Sequence, residues 1–375
     1  MRPANETDLS EAISTAQSPV VIQGGGTRTL GPCAGDSLDT SAMSGVEMYE
    51  PGALTLVVRA GTALAEIDAV LAAERQRLAF DPPDLRAVLG RDGTSTIGGV
   101  VAANASGPRR VQVGACRDAL LGVRFVDGAG NIVKNGGRVM KNVTGYDLVK
   151  LMAGSHGTLG VITEVSFKVQ AMPEAELTLI APREVGPGLA ALQAALGSPF
   201  DISGAGYMAG QAMIRIEGMA GSVAYRADAL TAILGGDWAR VSATHSAAIW
   251  RDLRDVIPFA GRDGAVWRVS VKASDAARVT LELGLTHEAI YDWGGGLIWI
   301  LMPEGGAPAV RRAVGAAGHA TLVRGIPGME DVPVFPPESA GVAALTAALR
   351  AKFDPRGVLN QGLMGQGPTN RGPTG

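Results

Sequence analysis

The chain of 375 residues is 46% hydrophobic and 18% charged, which predicts two or three domains around sizeable cores and excludes bulk disorder. Its formal net charge of −3 offers no surplus of Lys and Arg to a polyanion, so nucleic-acid binding is set aside. Two cysteines, Cys33 and Cys116, are too few for a disulfide framework or a four-thiolate iron–sulfur site. Both are expected to be buried free thiols, and any redox chemistry then calls for an organic cofactor.

The opening "MRPANETDLSEAIS" has no apolar signal region, and "LIWILM" at 297–302 is too short to span a bilayer. The expected location is the cytoplasm, with membrane association only through a partner. In chain order, "PVVIQ" and "TLVVRAG" read as strands, and "ALAEIDAVLAAERQRL" reads as an amphipathic helix that ends before "FDPPD". "GTSTIGGVVAANASG" is nearly all small residues, which implies that something flat or bulky lies against it. "ALLGVRFVDGAGNIV" reads as a hairpin turning at "DGAG". After Pro173 the texture changes to helices ("GLAALQAAL", "SVAYRADALTAIL") between strands ("AMIRIEG", "AVWRVSVKA", "LIWILMP"), a second α+β domain. A final helix lies within "ESAGVAALTAALRAKFDPRGVLN", and "GQGPTNRGPTG" is expected to be disordered. The boundaries follow as 1–172, 173–326, 327–364 for a C-terminal segment that returns to the first domain, and 365–375 for the tail.

The chemistry starts at "VIQGGGTRTLG", residues 21–31. No G-x-x-x-x-G-K-[ST] string occurs, so a P-loop is excluded. A Rossmann turn is disfavoured, because Thr29 stands where the third small residue belongs and Pro32 follows. What survives is a nest of backbone N–H groups that suits a pyrophosphate. The alternative is a tight strand-to-strand turn without a ligand.

Residues 96–169, from "TIGGVVAANASGPRR" to "GSHGTLGVITEVSFKV", resemble the FAD-binding domain of the vanillyl-alcohol oxidase/p-cresol methylhydroxylase (PCMH) superfamily, with the glycine run and "LVVRAGTALAEIDAVL" in the expected order before them. Within it, "GPRR", "GGRVMKNVTGYDLVKLMAGSHGTLGVITE", "DWGGGLIW" and "FDPRGVLN" resemble the E-subunit family of bacterial glycolate oxidases. The resemblance implies an α+β fold: a PCMH-type FAD-binding domain of two α/β subdomains, plus a smaller cap domain of antiparallel sheet and helices. It implies FAD as cofactor. Gly24, Gly25, Gly26, Thr27 and Arg28 would form the first pyrophosphate loop. Thr96, Ile97, Gly98 and Gly99 would form the second wall, with Ala102, Asn104, Ser106 and Gly107 keeping it low beneath the isoalloxazine. Gly157, Gly160, Val161 and Ile162 would lie along the adenosine, and Pro82 and Pro83 would pack on the same cofactor.

Superfamily members that bind flavin covalently use a His in the first glycine loop. Residues 20–32 contain none, so non-covalent FAD is expected. Lys141 and Asn142 are assigned to a structural turn, and Tyr146 with Asp147 to the cap of the next helix. Oxidation of a 2-hydroxy acid needs a base for the hydroxyl proton and an Arg on the carboxylate. Of the four histidines, His156 sits inside the expected FAD loop, while His245 and His287 stand alone. "GHATLVRG" then offers His319 as base and Arg324 as clamp. No "HGDGN"-type metal motif of the related dehydrogenases is present.

The resemblance implies a glycolate oxidase complex with a D-type flavin subunit and an iron–sulfur subunit, acting on small 2-hydroxy acids. Three roles stay open at this stage: a catalytic flavoprotein within the complex, a flavin-carrying relay or assembly subunit, or a stand-alone oxidase.

Overall fold

The structure is a computed structural model and describes residues 1–28, 30–31, 33–138 and 145–364. The expectations for Lys141, Asn142 and the 365–375 tail lie outside the described residues.

The first helix, Glu6–Thr15, starts at Asn5, whose side chain accepts the Asp8 N–H at 2.9 Å. Its Leu9 and Ile13 pack against β1 (Val20–Gln23) and β2 (Asp36–Asp39), a parallel pair. Next come β3 (Val46–Glu50) and β4 (Thr55–Arg59), the short β5 (Gln76–Arg77), the hairpin β6 (Leu120–Val126) and β7 (Ile132–Gly136), then β8 (Val161–Lys168) and the short β9 (Gln170–Ala171). The larger sheet is antiparallel, in the order β3-β4-β8-β6-β7. β8 is central and its side chains are almost all buried.

The expected helix over 63–78 is shorter, Leu64–Ala73. Arg75 takes a left-handed φ of 51°, and Gln76–Arg77 pair with Gln170–Ala171 instead. The periodicity continued past Ala73, but a tertiary strand partner won.

The cap is one antiparallel sheet built from β10 (Ala175–Pro182), β11 (Gly204–Met208), β12 (Gln211–Gly218), β13 (Ala239–Val241), β14 (Ala265–Ser270), β15 (Glu288–Asp292), β16 (Leu297–Met302) and β17 (His319–Arg324). Its order is β13-β10-β12-β11-β15-β16-β14-β17. Helices Val185–Leu196, Ala220–Leu234, Ala276–Leu281 and Ala307–Val314 cover one face. The other face packs on helix Ala243–Arg254 and on Val88 of the N-terminal half. β16, paired on both sides and covered on both faces, is wholly buried, which is why "LIWILM" shows no alternation.

Helix Ala340–Phe353 has no buried residue, but the chain after it is sewn into the first domain. Val20 N–H donates to Val358 O at 2.7 Å, and Asp354 takes the Val358 and Leu359 amides. Asn360, at φ 42°, accepts the Ile22 N–H at 2.8 Å and donates to His156 O at 2.7 Å.

The halves are locked by charge. Glu217 of β12 is buried against Arg109, with Arg77 at 2.7 Å and Arg215 at 3.7 Å. Burial alone raises a carboxyl, but here Arg215, Arg109 and Arg77 outweigh it and hold Glu217 at about 2. The depressed value stabilises the folded state above the ordinary value of 4.5 and is lost as pH falls toward about 2. Arg109→Ala strands a buried carboxylate and is expected to cost about 3–5 kcal/mol at pH 7, read as a lowered urea midpoint. The gap between Glu217→Gln and the parent should narrow when the titration is repeated at pH 3.

Candidate flavin site

Where β1 ends, Gly24–Arg28 turn back over the helix Ile97–Ala102, and the two form the walls of a cleft of about 70 Å³. A second cavity, about 200 Å³, lies between the Asn104–Gly107 loop and the cap strands, and both are lined by Arg28, Leu30, Ala103 and His156. Gly24, Gly25, Gly26, Thr27, Arg28, Thr96, Gly99 and Ala102 line the cleft. Pro83, Asn104, Ser106 and Gly107 line the cavity.

The glycines divide by role. A Cβ on Gly25 would run into the Thr94 carbonyl, and one on Gly24 into the Thr96 hydroxyl, so these two permit chain packing. Gly26, at φ 70°, has nothing within 4 Å of its Cβ position, and Gly99 only Thr96 Oγ1 at 3.5 Å and Arg28 Cδ at 3.9 Å. Side chains there would fill the cleft. Asn104 Oδ1 accepts the Arg117 N–H at 3.0 Å, and Ser106 Oγ accepts the Cys116 N–H at 2.9 Å. Both polar side chains are thus committed to holding the low loop.

Nine predicted residues, Pro82 among them, stand outside these two cavities. Ile97 is a core side chain whose N–H goes to Thr62 O at 3.0 Å, and the Gly98 N–H goes to Ala60 O at 2.8 Å, so neither amide faces the cleft. Gly160 lies against Phe125 and Val126, and Val161 and Ile162 are buried beside β6. Gly157 is closer: its Cβ position lies 2.7 Å from Asn360 Nδ2. His319 is exposed at the start of β17, paired with Ser270. Arg324, at the other end, spends its guanidinium on the carbonyls of Val88 (2.7 Å), Arg262 (2.5 Å) and Gly264 (3.1 Å), which leaves no fork for a carboxylate.

The lining residues to which sequence reasoning gave no site role include His156, Asn360, Arg110, Arg268 and Asp292. Asn360 and Arg110 lay in quoted strings, "FDPRGVLN" and "GPRR", without a site role. A charge inside the apolar strand "AVWRVSV" was the one local sign of Arg268. The half-buried His156 ring stacks edge-on to Phe335 at 5.2 Å and is held neutral, at about 4, by desolvation and then by the Arg268 charge. Asp292 accepts the Trp293 N–H at 2.7 Å, and burial pushes it up to about 7 against that hydrogen bond. Cys116 is buried and its thiol raised by desolvation, whereas Cys33 is half-buried. Asp147 caps its helix as expected, accepting the Lys150 N–H at 3.1 Å, while Tyr146 is exposed.

Arg28 tests what the cleft accepts. One Nη2 donates to Pro83 O and to Ser95 Oγ at 3.1 Å, but its Nε and Nη1 are buried without a partner among the described residues. Orphaned donors on a buried cation are expensive, and burial lowers Arg28 to about 10 despite Asp84 and Asp255. An anionic group in the cleft would satisfy them.

A family model described as "FAD binding domain" matches residues 1–136. The glycolate oxidase subunit GlcE of Escherichia coli (strain K12) is 37% identical over 359 residues, covering 95% of each chain. This chain belongs to that family of FAD-binding oxidoreductase subunits. Its cofactor is FAD. The glycolate oxidase subunit GlcD of Bacillus subtilis (strain 168) is 34% identical over 186 residues, 48% of this chain and 38% of GlcD. An alkyldihydroxyacetonephosphate synthase structure shares the fold at a TM-score of 0.69 and 17% identity, covering 96% of this chain and 75% of that one. Among the described residues no helix is long and apolar enough to cross a membrane.

Gly99→Val should purify folded, by far-UV circular dichroism, yet without flavin. The raised Asp292 carboxyl favours the folded state below its ordinary value of 3.8, and that contribution is lost as pH rises through about 7. Asp292→Asn is therefore expected to raise the thermal midpoint by a few degrees at pH 8 and by less at pH 5.

Proposed function

We propose that this chain is the FAD-carrying subunit of a heteromeric glycolate oxidase or dehydrogenase, and that it oxidises glycolate or another small 2-hydroxy acid to the 2-oxo acid, glyoxylate in the first case. Electrons leave through an iron–sulfur subunit, and a D-type flavin subunit completes the complex. The observation that carries the reading is the cavity of about 200 Å³ sharing four lining residues with the flavin cleft, smaller than the roughly 300–1,000 Å³ taken by drug-sized ligands.

Bound FAD supplies a two-electron acceptor. Gly24–Arg28, Thr96 and Gly99 would hold its pyrophosphate side, with Arg28 as the charge partner. The low Asn104–Gly107 loop and Pro83 would bound the ring. The cap sheet closes the cavity with Trp299, Leu297 and Val323, apolar side chains that exclude water from the C–H to be broken. Neutral His156 stands in the same cavity as an acceptor for the hydroxyl proton. Support for the partners comes from the relative's own designation as a subunit and from the two-cysteine count, which leaves a four-thiolate cluster to another chain. Non-covalent binding follows from the His-free glycine loop.

The purified chain should be yellow, and acid precipitation should release the colour to the supernatant. Glycolate added without air should bleach the visible flavin band. Bleaching only after partner subunits are added would make the chain a relay, and a band untouched even in the assembled complex would refute the substrate assignment.

A further inference from the structure

We propose that Arg110 and Arg268, held by the single indole of Trp293, form a binding site for the carboxylate of a small acid on the wall of the 200 Å³ cavity. The inference rests on the flavin reading of the adjoining cleft.

The two arginines come from opposite halves of the molecule. Arg110 opens the helix Arg110–Val113 in the FAD-binding half, and Arg268 lies on β14 of the cap. Their guanidinium carbons sit 4.6 Å and 5.4 Å from the Trp293 ring centroid, a cation–π geometry. The indole is itself fixed. Its Nε1–H donates to Gly107 O at 3.0 Å, and its backbone N–H donates to Asp292 Oδ1 at 2.7 Å. Trp293 has a φ of 54°, a left-handed backbone that a bulky residue adopts only under strong local constraint.

Other arginines at this junction are neutralised. Arg109 meets Glu217, and Arg254 meets Asp81 at 3.0 Å and Asp255 at 2.8 Å. Among the described residues no carboxylate lies within ion-pair distance of Arg110 or Arg268, and neither guanidinium donates a hydrogen bond. Burial, and then the Arg110 charge, lowers Arg268 to about 10. Two like charges gathered on one ring in a partly desolvated cavity are costly unless an anion joins them. Asp292 is the one acid on the lining, and its carboxyl is occupied by the Trp293 amide and pushed toward the neutral form. A planar carboxylate with two oxygens suits a pair of guanidinium forks lining one cavity. Because the halves contribute one arginine each, the site exists only when the cap is docked.

The test is calorimetric titration of the full-length, FAD-loaded chain with oxalate, with glycolamide as an uncharged control. The parent should bind oxalate and not glycolamide. Arg268→Ala and Arg110→Ala should each weaken oxalate by about 30-fold or more while retaining flavin. Arg268→Lys keeps the charge but not the fork and should recover only part of the loss, which guards against a folding defect in the alanine variants. Unchanged oxalate affinity in the folded variants would overturn the proposal. So would loss of flavin with oxalate binding to the flavin-free chain unaltered, since the arginines would then serve the cofactor. A parent that carries no flavin but still binds oxalate through these arginines would refute the flavin reading and leave this site standing.

Discussion

Glu217 is a carboxylate buried between the two halves of the molecule, and its charge survives there because Arg109 and Arg77 reach it from the FAD-binding half and Arg215 stands beside it on the cap. Removing water from such a group costs several kcal/mol, which only close and well-directed cations return. The pairing therefore specifies where the cap sits. Arg109 also donates to Ala79 O and Gln170, so the anchoring residue is fixed from its own side before it meets the cap. With the cap so placed, β14, β16 and β17 face the Asn104–Gly107 loop, and the enclosed space becomes the cavity.

The same economy of polar groups runs through the cleft. Loop amides and hydroxyls that look available in a string are committed to holding the backbone: Ile97 and Gly98 to the Ala60–Thr62 turn, Asn104 and Ser106 to the segment entering Arg117 and Cys116. Among the described residues, Arg28 has two orphaned nitrogens, and the Arg110 and Arg268 guanidiniums lie over an indole without a hydrogen-bond or ion-pair partner. In a protein interior where almost every polar group is paired, such residues mark where an anionic ligand completes the structure. The C-terminal turn closes the back of the cleft, with Asn360 bridging Ile22 and the His156 carbonyl.

Much of this was legible in the residues. The glycine run, the small-residue stretch at 93–107 and the hairpin at 119–133 each carry a local signal, because backbone approach and tight turns depend on side-chain size at fixed positions. His319 and Arg324, offered as base and clamp from "GHATLVRG", stand at opposite ends of a six-residue strand, and the Arg324 guanidinium donates to the carbonyls of Val88 and Gly264.

The sequence by itself determined the fold family and the cofactor, since these rest on short strings whose chemistry is local. Only the tertiary structure decided which charged side chains remain unpaired. Arg109 and Arg110 are adjacent and alike in "GPRR", yet one is spent on Glu217, 108 residues away, and the other on the ring of Trp293. Whether a guanidinium is neutralised depends on what a distant segment brings within a few ångströms, and no local pattern encodes that distance.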